Sequence, residues 1–441
     1  MHSSLAALLL PPLAIAITLS GAAQAAGTAI TGAQIDAAAK AVEPKTIEWR
    51  RDFHAHPELS NREVRTAEQI AKRLRALGME VTTGVGPTGV VGLLRGGQPG
   101  RTVGLRADMD ALPVTEQTDV PFKSKATAQF RGETVGVMHA CGHDSHVAIL
   151  LSVAEVLAGM RQQLAGQVLF VFQPAEEGPP EGERGGAQLM LEQGAFKLAK
   201  PDIMYGLHVM ASLPTGVIGY RAGPFMASAD SFTLTVKGRQ THGSRPWGGV
   251  DPIVTASQIV LGLQTVISRQ VDPTVDPAVL SIGMINGGIR PNIIPDSVTL
   301  SGGLRWFGDR GRMNIRNKVD RMVQGIASAA GATATVNFTP IIPPVTNNAA
   351  LSQSMNRTLS DLHVIATGPS PTSDDVAYIM EKIPGLYLYL GGTPADVDTT
   401  STAPNHSPKF FVDEGAIATG IRVMSRLAID YVNQRSRIGN P

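Results

Sequence analysis

Cys141 is the only cysteine of the chain, and it sits in the run Met138-His139-Ala140-Cys141-Gly142-His143-Asp144-Ser145-His146, which packs a thiol, imidazoles and a carboxylate into nine residues. A lone thiol closes no disulfide within the chain. Thiolate and imidazole are donors for zinc, cobalt or nickel, and a Cys-x-His spacing brings two of them within reach of one ion. Standing alone, a buried cysteine is as readily a small core hydrophobe. Cys141 has company. The run Gln173-Pro174-Ala175-Glu176-Glu177-Gly178 carries adjacent carboxylates, which repel unless a cation sits between them or their surroundings differ. A metal resolves that conflict, with one carboxylate coordinating and its neighbour free to take a proton from water. His208, and His406 in Asn405-His406-Ser407-Pro408, complete the donors. Each histidine singly is more readily structural. Together with Cys-x-His and Glu-Glu they suit two metals sharing ligands better than one structural zinc.

These groups need elements to position them. Short apolar runs at Val90 to Leu94, Thr102 to Leu105, Val168 to Phe172 and Ile203 to Leu207 alternate with helical patterns, including one from Val147 to about Met160. That alternation predicts an α/β sheet covered by helices. Glu176, Glu177 and His208 are expected just past the carboxyl ends of strands, the edge where open α/β sheets bind ligands. A helix over Val64, Ala67, Ile70, Leu74 and Leu77 is expected to open on a Ser60/Glu63 capping box and close at Gly78. From about Ala227 the pattern becomes β-α-β-β-α-β, that of a ferredoxin-like unit. The simplest architecture is a catalytic α/β domain in two segments, 36–224 and 343–441, interrupted by a smaller domain over 227–340.

Length and charge bound the alternatives. A chain of 441 residues with 43% hydrophobic residues is expected to hold more than one core. A net charge of +1 gives no footprint for nucleic acid. Residues 1–25 read as a signal peptide: Leu5 to Leu19 is almost wholly apolar, and Ala23-Gln24-Ala25 supplies a small-x-small cleavage site. Only the amino terminus and His2 stand where Lys or Arg is usual. An uncleaved anchor is the alternative, but a span needs roughly twenty apolar residues and Pro11-Pro12 breaks this one. The mature chain is therefore expected in the periplasm or secreted, with no membrane contact after cleavage.

The ordered set Arg106-Ala107-Asp108-Met109-Asp110-Ala111-Leu112-Pro113, His139-Ala140-Cys141-Gly142-His143-Asp144, Pro174-Ala175-Glu176-Glu177-Gly178, Gly206-Leu207-His208 and Asn405-His406-Ser407-Pro408 resembles the co-catalytic metallopeptidases of the aminoacylase and carboxypeptidase group. Within it the likeness is to hippurate hydrolases, N-acyl-amino-acid amidohydrolases and auxin-conjugate hydrolases, and it runs from about Thr46 to Glu414. The resemblance implies that Cys141, His143, Glu177, His208 and His406 hold two divalent ions (Zn, Mn, Co or Ni) and that Glu176 is the general base. It implies that Asp108 or Asp110 orients a ligand from behind. In Thr241-His242-Gly243 it points to His242 as the group that stabilises the oxyanion, acting on the partner subunit of a homodimer through a lid and dimerisation domain. Asn292 and Arg305 correspond to residues that hold a substrate's free carboxylate, for which a planar guanidinium is well suited. His54 and His56 are assigned to structure, and His139 and His146 to packing or hydrogen bonding beside the metal loop. The expected reaction is hydrolysis of an N-acyl amino acid or small dipeptide-like amide. Two rival readings are a cysteine hydrolase with Cys141 as nucleophile and His143 as base, and a metal- or solute-binding protein without catalysis.

Overall fold

A computed structural model describes residues 1–2, 30–308 and 311–434. All of the expected signal peptide beyond His2 lies outside the described residues. Among the described residues no helix is long and apolar enough to cross a membrane.

Eight strands lie side by side in one mixed sheet, in the spatial order Glu80–Val85, Gly89–Arg95, Ala165–Gln173, Gln98–Asp108, Ile203–Pro214, Gly385–Thr393, Val217–Tyr220 and His363–Ala366. The central four run parallel. Parallel neighbours need crossovers, and helices His143–Gly159 and Gly186–Glu192 supply two of them. Side chains alternate between faces at a period of two. In Gly385–Thr393, Leu386, Leu388 and Leu390 enter a core shared with helices Gly32–Ala55, His143–Gly159 and Gly415–Asn433, while Tyr387 and Tyr389 enter one shared with Val376–Met380. Each fully buried leucine contributes roughly 1.5–3 kcal/mol, so a sheet covered on both faces is held strongly.

Residues 229–342 form a second, four-stranded antiparallel sheet in the order Ala278–Gly287, Ser297–Trp306, Ala229–Lys237, Thr333–Ile342. Phe232, Leu234, Val236, Leu300 and Leu304 pack with Ile259 and Leu263 of helix Pro252–Gln270 and Val319 and Val323 of helix Gly311–Ala329. This is the expected ferredoxin-like arrangement inserted between two stretches of the large sheet. Asp251 accepts hydrogen bonds from the N–H groups of Ile253 and Val254, which starts the first of these helices behind Pro252.

Three local expectations are corrected. The Ser60/Glu63 capping box does not form: the helix spans Val64–Ala76 without a side-chain cap. Ser60 donates to Asp110 at 2.7 Å, and Glu63 accepts from Thr88 and from the N–H of Ala175, because these buried donors require acceptors. The helix expected from Val147 begins at His143, because its first turn is polar yet fully buried, a combination that hydrophobic periodicity does not register. His208 lies inside the long strand Ile203–Pro214 rather than past its end. The strand outruns its neighbour: pairing with Gln98–Asp108 stops at Gly206, whereas pairing with Gly385–Thr393 continues through His208. His208 is thus still at the carboxyl edge of the adjoining strand.

Candidate metal centre

The Cys141 loop turns sharply into helix His143–Gly159 through Gly142, whose φ of +90° favours glycine. The loop bearing His406 docks on it: the N–H of His406 donates to Ala140 O at 2.7 Å, and Asn405 Nδ2 donates to Val209 O at 3.0 Å and Cys141 O at 3.3 Å. Ala175 and His406 both hold positive φ, +52° and +72°, a conformation L-residues adopt only when their surroundings impose it. Behind the turn at Glu176, Asp110 accepts from two consecutive N–H groups, those of Glu176 at 3.1 Å and Glu177 at 3.0 Å.

The donors converge. Cys141 Sγ lies 3.4 Å from His208 Nε2 and 3.2 Å from His406 Nε2, and His406 Nε2 lies 3.0 Å from Glu177 Oε1. Cys141, His143 and His208 each offer an atom within 4.8 Å of the others, as do Cys141, Glu177 and His406, and also His143, Glu176 and Glu177. Cys141, His143 and Glu177 each belong to two of these three sets, so the donors form one continuous cluster with room for more than one ion. His208 donates from Nδ1 to Val209 O at 2.8 Å, leaving the Nε2 lone pair toward Cys141.

The chemistry of the donors fits a cation. Neither ring nitrogen of fully buried His143 makes a well-formed hydrogen bond, the nearest carboxylate oxygens lying 3.3 Å from Nδ1 and 3.8 Å from Nε2. Buried polar atoms are almost always satisfied, so these atoms require one more partner. Hydrogen bonds from the Cys141 and Glu177 side push the His406 imidazole up to about 10. That shift marks a site that attracts positive charge.

The remaining predicted residues divide. Asp108 and Asp110 lie behind His143, at 3.8 Å from Nε2 and 3.3 Å from Nδ1. Asp108 also accepts from Nδ1 of His146, whose Nε2 accepts the N–H of Val209 at 2.8 Å, so both ring nitrogens of His146 are already partnered. His139 is packed behind the loop, and burial pushes it down to about 4. His54 bridges Asp144 at 2.8 Å and Glu116 at 3.1 Å, while His56 is exposed. Arg305 lines a cavity of about 270 Å³ with Cys141, Glu176, Glu177, His208 and His406. Its guanidinium donates to Ser373 at 2.8 Å. Burial pushes it down, as expected for a half-buried cation with little compensation. His242 and Asn292 do not line this cavity. They sit together on the insert, where Thr241–His242 pairs with Ile293–Ile294 and the N–H of Gly243 donates to Asn292 O.

A buried cluster beside Glu176 went unread in the sequence. Arg106 lies 2.7 Å from Asp108, 3.0 Å from Asp374 and 3.3 Å from Asp375. Asp374 and Asp375 each offer an oxygen within 4.8 Å of one on Glu176. Burial pushes the Glu176 carboxyl well above its ordinary range, and Asp374, Glu177 and Asp375 add to this. Adjacent aspartates at Asp374-Asp375 could have been singled out by the repulsion argument applied to Glu176-Glu177.

Residues 104–430 match the description of peptidase family M20/M25/M40. The chain belongs to this family. This M20 chain is 41% identical over 398 residues to thermostable carboxypeptidase 2 of Saccharolobus solfataricus, covering 90% of this chain and 97% of that one. It is 36% identical over 393 residues to N-acetylcysteine deacetylase of Bacillus subtilis, covering 88% and 97%. The crystal structure of a dinuclear metal binding M20 peptidase from Bacillus subtilis superposes with a TM-score of 0.76 at 34% identity, over 90% of this chain and all of the other. The protein is accordingly an M20-family hydrolase of amide or peptide bonds.

Proposed function

We propose that this hydrolase cleaves the amide bond of N-acyl amino acids or small peptides with a free carboxylate, holding two divalent ions through Cys141, His143, Glu177, His208 and His406. The observation that carries the reading is the convergence of Cys141, Glu177, His208 and His406, a carboxyl with raised proton affinity at Glu176, and the half-buried Arg305 on one small cavity, with His143 buried within reach of Cys141 and His208. Divalent ions bound there supply Lewis acidity, which acidifies water and polarises a carbonyl. Glu176 takes the proton of the attacking water and passes it to the leaving amine. Arg305 grips the carboxylate and so fixes which bond meets Glu176.

His242 serves as the oxyanion donor in a homodimer. Its Nδ1 accepts the Ser244 N–H at 3.1 Å, which places the ring proton on Nε2, free to donate. The dimer reading is supported by the edge strand Ala278–Gly287, which exposes Val279, Met284 and Ile285. Export follows from the apolar leader and its cleavage pattern. A cysteine hydrolase is disfavoured, since burial pushes the Cys141 thiol up where a nucleophile needs it down.

The deciding experiment compares N-acetyl- and N-benzoyl-amino acids with the same amides lacking the carboxylate. The reading expects kcat/KM to fall about 10- to 100-fold without the carboxylate, the worth of a charged hydrogen bond. Equal rates on both would remove Arg305 from its role, and inactivity on every acyl amino acid would favour a binding protein.

A further inference from the structure

The turn that presents Glu176 and Glu177 has an unusual support. Three successive N–H groups, those of Ala175, Glu176 and Glu177, are received by two carboxylates from outside the turn. Asp110 takes the last two. Glu63 takes the first, its Oε1 lying 2.9 Å from the N–H of Ala175. The other oxygen of Glu63 accepts from Thr88 at 2.6 Å, so neither oxygen is idle. Glu63 is completely buried and Ala175 nearly so, leaving no solvent to replace a lost bond. Ala175 is the turn residue held at φ +52°.

We propose that Glu63 is a positioning residue of the hydrolytic site, its carboxyl holding Ala175 in the left-handed turn that directs Glu176 and Glu177 to their tasks. The inference rests on Glu176 acting as the base. The neighbouring side chains reach in the same direction: Ser60 donates to Asp110, and Asn61 donates to Glu183 at 3.0 Å and to Arg184 O at 3.1 Å. The segment 60–63 is therefore a brace under the turn and under the loop that follows it. Burial and the nearby Asp110 push the Glu63 carboxyl up to about 7. A glutamine, which still accepts from Ala175 and can donate to the Thr88 hydroxyl, is then a close mimic.

The test uses the full chain as wild type, Glu63→Gln and Glu63→Met, at saturating cobalt. Methionine keeps the volume and removes the acceptor. The brace predicts that Glu63→Met lowers kcat about 10- to 100-fold with KM changed less than about threefold, the signature of misplaced reacting groups. Glu63→Gln recovers most of that loss. In cobalt titrations of the stripped protein, followed by the thiolate-to-metal absorption of Cys141, Glu63→Met needs more cobalt than wild type, because Glu177 shares the turn. Wild-type kcat in Glu63→Met, or equal losses in both variants, overturns the brace. Should Glu63→Met fail to fold, Thr88→Val decides: the brace expects a reduced kcat at unchanged KM, and a wild-type kcat overturns it. A wild type that hydrolyses no acyl amino acid sinks the base assignment instead, and the cobalt titration still judges the brace.

Discussion

Glu176 and Glu177 are adjacent, yet their surroundings differ in a way that supports the different tasks proposed for them. Glu177 faces His406 at 3.0 Å, while Glu176 faces the aspartates held by Arg106. A carboxyl whose surroundings push it up, as those of Glu176 do, suits a base, while a neighbour facing other donors suits a ligand. Glu176→Gln should therefore lower kcat by about 10²- to 10⁴-fold while metal content, read by elemental analysis, stays at the wild-type value. Metal lost along with activity would make Glu176 a ligand. Arg305→Ala should raise KM for acyl amino acids, and Arg305→Lys should not restore it, because an ammonium lacks the planar fork that fits a carboxylate. An unchanged KM in Arg305→Ala would show the carboxylate is bound elsewhere.

Helices and strands bring these groups together through contacts of very different legibility. Cys141, His143, Glu177 and His406 could be picked out because thiol, imidazole and paired carboxylates are unusual at such spacings. The helix-covered α/β sheet and the insert were equally readable, since short apolar runs and periods of two and of 3.6 report burial directly. Glu63 and Arg106 could not be, because their contacts depend on partners far away in sequence, and Asp374 is marked only by its adjacency to Asp375. Glu63 even carries a local pattern that suggests a different role, as a helix cap. At Gly142 the backbone itself makes the demand. Gly142→Ala should destabilise the fold by about 1–2 kcal/mol, as a lower melting temperature, since φ +90° disfavours any Cβ. A second contact ties helix Gly32–Ala55 to helix His143–Gly159, with Asp144 accepting from both Arg50 at 2.8 Å and His54. Burial alone would lower the His54 imidazole, but Asp144 and Glu116 together hold it above its ordinary value. A raised histidine stabilises the fold fully below its unfolded pKa of about 6.5 and loses that contribution as pH climbs through the folded value. Urea midpoints should therefore fall above neutrality more steeply in wild type than in His54→Gln, and parallel curves would deny the charged pairing.

At the scale of the whole molecule, the cavity is lined by Arg305 and by the proposed metal donors Cys141, Glu177, His208 and His406, but by neither His242 nor Asn292, so one chain does not assemble every proposed group. The proposed dimer, joined through the exposed edge strand, would supply a place for them. Met284→Lys with Ile285→Lys should convert a dimer to a folded but weakly active monomer in sedimentation, because charges on an edge strand block pairing. Mixing Glu176→Gln with His242→Ala chains should restore activity that neither has alone, and failure to complement would place His242 within its own chain's site or outside the chemistry. The central claim is that metal held by Cys141, His143, Glu177, His208 and His406 drives amide hydrolysis at Glu176. It is tested most directly by following hydrolysis of an N-acyl amino acid by the purified protein after chelation and then during stepwise return of metal. The account predicts that activity vanishes on stripping and returns as loading approaches about two ions per chain. Activity that survives complete removal of metal would contradict it.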